Sequence, residues 1–327
     1  MKSEEFAVAL NTLLSGVNRV ICAIANSSLF LLPFYILLVS CSERQETMLY
    51  DTADSTGIDT TLLRVAVMPA MNCLPVYYAE RSGLADSLGL GMQVLRYQAQ
   101  MDIDTAIING HADIAYTDLI RLHRLSEKAT ISAFASCNET LSLISLKTKR
   151  VKRFNQMKEQ MIAISRLSAT DYWCDRLLDE TRVSYDDIYR PQINDVRLRA
   201  EMVRQGLIDA AMMGEPFATW MMMLGHKCLF QSKGKQPLLY AWAACGSATQ
   251  EQQRAFRHLL DSAIVRMSDE SQADILRDIL KHDYQLPPAL SDTFELQPLK
   301  QPSDIRESDM KAAEEWLKRK GDKTINK

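Results

Sequence analysis

The chain has 327 residues, with 38 Lys plus Arg against 41 Asp plus Glu and a net charge of −3, so it lacks the basic surplus that nucleic-acid binding requires. With 47% hydrophobic and 24% charged residues the composition is globular, neither disordered nor collagen-like, and the length suggests about two domains. Only 12 glycines occur, against a usual share of roughly 7%, which argues against Gly-rich nucleotide loops and a turn-dense all-β fold.

The chain opens with an address. No charge falls between Val20 and Ser42, and Leu29 to Val39 is an apolar run interrupted only by Pro33, the length of a signal-peptide core. It ends Leu38-Val39-Ser40-Cys41, followed by Ser42-Glu43-Arg44. That ending resembles the lipobox of bacterial lipoproteins, which implies cleavage before Cys41, lipidation of its sulfur and a firm anchor, since each buried methylene contributes about 0.8 kcal/mol. Residues 1–40 would then be the signal peptide and 41–62 the lipidated cysteine and a polar tether. An uncleaved transmembrane anchor is the alternative, but Asn26, Ser27, Ser28 and Pro33 dilute it. Glu4 and Glu5 offset Lys2 and leave Arg19 as the useful positive charge; this predicts a translation start further in.

Beyond the tether, Leu63–Met68 reads as a buried strand, Pro75–Ser87 as a helix and Met92–Tyr97 as a strand. A helix over Asp102–Asn109 stops at Gly110; a strand over Ala112–Tyr116 and a helix over Asp118–Leu125 follow. Strands are predicted at Thr130–Ala135, Leu141–Leu146 and Met161–Ser165, with the basic stretch Lys147–Arg153 between the last two. Then come a helix over Ala169–Glu180, a strand near Ile188–Ile193, a helix over Val196–Gln205, a strand at Ile208–Met213 and a helix over Phe217–Leu224. Strands at Cys228–Gln231 and Leu238–Ala244 precede helices at Gln250–Met267, Gln272–His282 and Ile305–Lys320. Gln285–Pro302, with four prolines, reads as an extended connection.

Strands alternating with helices indicate βαβ units and mostly parallel sheets flanked by helices. Two such runs joined by extended crossings near 141–147 and 238–245 predict an α/β fold of two lobes. Lobe 1 would be discontinuous, 63–147 plus 238–327, and lobe 2 would be 148–237. Ligands of open α/β sheets bind beyond the carboxyl ends of strands, which places one site between the lobes.

Cys73, Cys137, Cys174, Cys228 and Cys245 form an odd set without a C-x-x-C pair, neither a disulfide framework nor a zinc site; most read as buried thiols. The five histidines lack metal-ligand spacing, and the 16 methionines, Met221-Met222-Met223 among them, read as core filling. No metal and no cofactor is expected. Neither a G-x-S-x-G elbow, a P-loop nor a strand-linked G-x-G-x-x-G occurs.

Three stretches carry a resemblance: LRVAVMPAMNCLPVYYAERSGL (63–84), DIDTAIINGHADIAYTDL (102–119) and GLIDAAMMGEPFATW (206–220). In that order they resemble the sulfonate-, nitrate- and thiamine-precursor-binding family of ABC-transporter substrate-binding proteins. The resemblance covers roughly 63–320. It implies a type II periplasmic-binding fold that closes on a small molecule by two hinge crossings, then delivers it, as a monomer, to a permease powered by an ATPase.

By position, the resemblance implies ligand contacts from the loop at Asn72, Cys73, Leu74 and Tyr77, with one ring of the Tyr77-Tyr78 pair in the cleft. It implies others at Tyr116, Thr117 and Asp118, although Asp118 is also a favoured helix cap. In lobe 2 they are Arg166, Ser168, Ala169, Thr170 and Asp171, where Ser168 either caps its helix or presents N–H groups to an anion. Glu215 and Phe217 complete the set; Glu215 could also serve the helix dipole alone.

Tyr116 and Asp118 stand where relatives often carry small residues. Asp118, Asp171, Glu215 and Glu139 face a single candidate cation, Arg166, and Tyr77, Tyr116, Phe217 and Trp220 lie nearby. This favours a neutral or amine-bearing, heteroaromatic ligand over small oxyanions. Two other classes share the fold, an enzyme similar to menaquinone-pathway lyases and a ligand sensor.

Overall fold

The computed structural model describes residues 62–246, 248–295 and 298–325, all within the unit Asp59–Lys327. Cys41, the signal peptide and the tether lie outside the described residues. Among the described residues no helix is long and apolar enough to cross a membrane.

The first sheet begins with β1 (Leu63–Val67), whose Leu63, Val65, Ala66 and Val67 are buried. Arg64, half-buried on the same strand, is held by Asp113 at 2.7 Å. A 3-10 turn at Met71–Cys73 leads into α1 (Leu74–Arg81), with Pro75 in its first turn, where a missing N–H costs nothing. The single helix expected over 75–87 breaks at Gly83, whose φ of +69° suits glycine, and resumes as α2 (Leu84–Ser87). There follow β2 (Met92–Arg96), α3 (Gln100–Ile108), β3 (Ile114–Asp118), α4 (Leu119–Leu125) and β4 (Ile131–Cys137).

The chain then crosses to a second sheet through residues 138–141 and lays down β5 (Ser142–Ser145). That sheet adds β6 (Gln160–Ala163), α5 (Ala169–Thr181), β7 (Ile188–Tyr189), α6 (Val196–Arg204), β8 (Ala210–Met213), α7 (Phe217–Met223) and β9 (Lys227–Gln231). Residues 232–239 return the chain to β10 (Tyr240–Cys245) in the first sheet. Four helices close the chain: α8 (Gln250–Met267), α9 (Ala273–His282), α10 (Pro288–Ser291) and α11 (Glu307–Ile325). The short α10 interrupts the segment expected to be extended.

The strand orders are β2-β1-β3-β10-β4 and β7-β6-β8-β5-β9. In each sheet four strands share one direction, and the fourth position is an antiparallel strand delivered by a crossing. This corrects the crossings expected at 141–147 and 238–245. Ser142–Ser145 pairs with Ala210–Met213 and belongs to the second sheet, while Tyr240–Cys245 is sandwiched between β3 and β4. Pairing satisfies the backbone groups of both segments, so only the short links remain outside sheets. The links are tied together: Leu141 N donates to Ser232 Oγ (2.9 Å) and Ser232 N to Leu141 O (2.8 Å).

The apolar faces bury Trp242, Tyr284 and Phe256 on the first-sheet side and Trp173, Leu177 and Trp316 on the other. Trp316, on α11, sends its Nε1 to Asp175 of α5 at 3.0 Å, while α11 also packs along α4. The carboxy-terminal helix therefore straps both lobes. Cys73, Cys137, Cys174, Cys228 and Cys245 are free thiols.

Candidate functional site

The two sheets face one another with the carboxyl ends of β1, β3, β6 and β8 around one cavity of about 40 Å³, where an open α/β sheet places its ligands. From the first lobe come Met68, Pro69 and Ala70 after β1, Gln100 at the start of α3, and Tyr116 and Asp118 at the end of β3. The second lobe supplies Ser165, Ser168 and Thr170 around the start of α5, Asn194 and Arg199 near α6, and Glu215 after β8. Glu139 and Leu141 come from the first link. A volume of this size admits water but no organic molecule, so a solute enters only if the lobes part about the links.

Glu139 joins the parts. Its Oε2 accepts from Asn72 Nδ2 (2.6 Å) and from the Tyr116 hydroxyl (3.0 Å), both in the first lobe. On the second lobe its carboxylate meets the Glu215 backbone N–H. Burial, with the Glu215 charge adding to it, pushes its carboxyl up to about 7 against these stabilising bonds. Tyr116 stacks on Tyr240, with centroids 5.6 Å apart and planes 10° from parallel, and forms an aromatic wall.

Asp118 is buried and caps α4, accepting from Ile120 N (3.1 Å) and Arg121 N (3.0 Å). Burial outweighs Arg121 and these bonds and raises its carboxyl to about 6. The Ala169 N–H, in the first turn of α5, also donates to it, so the protein's own carboxylate occupies a helix start that suits an anion. Ser168 and Thr170 use their hydroxyls locally, on Ser165 O at 2.6 and 3.1 Å. Arg121, buried, pairs with Asp104 and donates from Nη2 to Ser165 Oγ across the lobes at 2.6 Å.

Arg199 is 4% exposed. Its Nη1 donates to the Ile193 carbonyl (2.6 Å) and to the Asn194 carbonyl (3.4 Å). Its Nε has no acceptor among the described residues, and burial lowers its pKa to about 10. A buried guanidinium without a carboxylate partner, lining a cavity, is poised for a ligand acceptor.

Of the residues expected at the ligand, Tyr116, Asp118, Ser168, Thr170 and Glu215 line this cavity, and Asn72 reaches it through Glu139. Four do not. Cys73, Leu74, Tyr77 and Phe217 are at most 1% exposed and sit in the core. Burial holds the Cys73 thiol well above its usual range. Tyr77 packs edge-on against Tyr284, and its neighbour Tyr78 donates to Gln272 Oε1 at 2.8 Å, so neither ring of the pair enters the cleft. Trp220 packs against the core as well. Thr117 is buried and accepts from Gln100 at 3.5 Å. Arg166 and Asp171 line a second, larger cavity, with Asp171 accepting from Leu167 N at 3.0 Å.

Gln100, Arg121, Arg199 and Tyr240 also line the cavity and lie outside the expected set. Arg199 had a signal: in Val196-x-x-Arg199-Ala200-x-x-Val203 an arginine occupies the apolar phase of an amphipathic helix. Among the described residues no group of three His, Cys, Asp or Glu could hold a metal ion.

Comparison with known proteins agrees with this fold. A family profile described as "NMT1/THI5 like" matches residues 70–236. The alkanesulfonate-binding protein SsuA of Xanthomonas axonopodis pv. citri, bound to MOPS, superposes with a TM-score of 0.64 at 16% identity, over 79% of this chain and 91% of that one. The periplasmic aliphatic sulphonate binding protein SsuA of Escherichia coli gives 0.64 at 13% identity, over 80% and 88%. The periplasmic nitrate-binding protein NrtA of Synechocystis PCC 6803 gives 0.59 at 13% identity, over 76% and 74%. At these identities the likeness shows the fold, the two-lobed α/β architecture of type II periplasmic-binding proteins. No curated protein matches the chain.

Proposed function

Because the chain belongs to the NMT1/THI5-like family, we propose that it is an extracytoplasmic solute-binding protein that captures one small organic molecule between its lobes and delivers it, as a monomer, to the permease and ATPase of an ABC importer. One observation carries the reading. A cavity at the strand ends of both sheets is lined by buried polar groups from both lobes, which join through two short links that bond to each other. Such a site gains its contacts only when the lobes meet, the hinge closure of a binding protein.

The lining favours a solute that donates N–H bonds from an aromatic or amine-bearing body and carries an acceptor. Glu139, Asp118 and Glu215 supply carboxylates, the Tyr116–Tyr240 stack a flat apolar wall, and Arg199 a cation. A small inorganic oxyanion would meet the carboxylates instead. The sequence Leu38-Val39-Ser40-Cys41 supports anchoring through a lipid on Cys41; Cys41→Ser is expected to move the chain from the membrane fraction to the soluble one.

The test is thermal unfolding against a panel of thiamine precursors, nucleobases, polyamines, sulfonates and amino acids. A ligand at 100 times its Kd adds about 2.7 kcal/mol, a shift of a few degrees for a protein of this size. A selective shift by an amine or heteroaromatic compound, without product, is the expected result. A shift by sulfonates alone would overturn the ligand class, and turnover of the compound would transfer the chain to the enzymes.

A further inference from the structure

Beside the solute cavity lies a second one of about 500 Å³, and the two share Arg121. Asp104 and Arg124 reach it from the first lobe, Arg166, Asp171 and Arg190 from the second, and Lys320 from α11. Its charges are unbalanced. Arg121 pairs with Asp104, while Arg190 and Lys320 share Asp171 and, behind it, Asp175, at 2.6 to 3.2 Å. With Asp118, 3.6 Å from Arg121 Nε, four carboxylates meet five cations, and Arg124 and Arg166 stand outside these pairs. Both are exposed, and among the described residues neither makes an ion pair. Arg166 gives only a 3.5 Å contact to the Arg190 carbonyl. The buried Nε of Arg121 faces Asp118 Oδ2 at 3.6 Å, beyond hydrogen-bond reach, and among the described residues Oδ1 of Asp104 lacks a hydrogen-bond partner.

We propose that this rim cavity binds a small multivalent oxyanion, bearing phosphate or several carboxylates, between Arg124 of the first lobe and Arg166 of the second. Planar guanidinium forks match such oxygens bidentately. The volume falls within the roughly 300–1,000 Å³ of small-molecule pockets, and a concave site suits a small anion better than the flat face of a protein partner. Because the anion touches both lobes, it binds the closed arrangement more tightly than the open one and shifts the population toward closure. The site is separate from the solute cavity, and its anion is distinct from the solute.

The experiment is calorimetric titration of the full chain with pyrophosphate, then citrate, at constant ionic strength and with no solute present, so the result stands apart from the fate of the solute reading. Saturable binding is expected. Arg124→Gln and Arg166→Gln, both surface changes, should each weaken it several-fold, and the double variant at least tenfold with an unchanged unfolding midpoint. Heats no different from those of sodium chloride would overturn the site. Binding that depends on only one of the two arginines would overturn the bridge between lobes.

Discussion

Gly214 and Glu139 are fitted to each other: a Cβ on Gly214 would stand 2.8 Å from Glu139 Oε1. The contact falls on the free end of a side chain, but this one cannot swing aside, because its other oxygen is held by Asn72 and Tyr116. The absence of a side chain at 214 is therefore what lets the link carboxylate sit between the lobes.

Gly214→Ala should consequently displace Glu139 and misalign the site while leaving the sheets intact, since φ at 214 is not left-handed. The expected outcome is a loss of solute affinity of tenfold or more, equivalent to about 1.4 kcal/mol, with an unfolding midpoint within a few degrees of wild type. Calorimetry with the solute found by the panel, alongside thermal unfolding, checks both halves. Undiminished affinity would mean that Glu139 does not touch the solute.

Glu139 also sets a pH dependence whose sign can be worked out. Its carboxyl is raised from 4.5 to about 7 in the folded protein, so between these values the folded state holds more protons than the unfolded one. Stability then falls as pH rises through that window and levels off above it. Asp118, raised from 3.8 to about 6, adds a fall of the same sign at lower pH. Glu139→Gln should flatten the upper part of the window, between about pH 6 and 7, and raise the midpoint at pH 8. A solute that donates N–H bonds needs the ionised form, so wild-type affinity should climb as pH rises through 7, and that climb should vanish in the variant. Melting curves and titrations across pH 5–8 read both trends.

The fold and part of the candidate site are legible in the sequence, by two routes. Period-two and period-3.6 apolar patterns mark the elements, and strand ends in an α/β sheet mark the cleft; the family resemblance, carried over by position, names Tyr116 and Asp118 at the end of β3 and Ser168 and Thr170 at the start of α5, which line the cavity. The loop after β1 misled because Cys73, Leu74 and Tyr77 fall at a helix start that turns inward; apolar residues there fit a cleft wall and a core equally well, and tertiary packing against Tyr284 decides. Gln100 and Tyr240 carry no local mark: each reaches the cavity because of where a distant strand pairs, Tyr240 opposite Asp118 across an antiparallel ladder. The crossings were shifted by several residues because an extended link and a paired strand look alike until the partner is known.

Arg199 separates binding from stability most cleanly. Burying a guanidinium without an ion-paired carboxylate disfavours the folded state, and its pKa, depressed to about 10 by burial despite the charge of Asp195, records that cost. Arg199→Met keeps the stem that packs beside Val196 and Val203 and removes the charge. It also leaves the Ile193 and Asn194 carbonyls without a donor, which costs about 1–3 kcal/mol for a buried group. The two effects oppose, so the midpoint should move by only a few degrees in either direction. Solute affinity should behave differently: if the acceptor of the solute faces Arg199, the variant loses its charge-assisted bond and binds at least tenfold more weakly. A variant that binds as tightly as wild type would remove Arg199 from the site and reduce the solute to a pure donor.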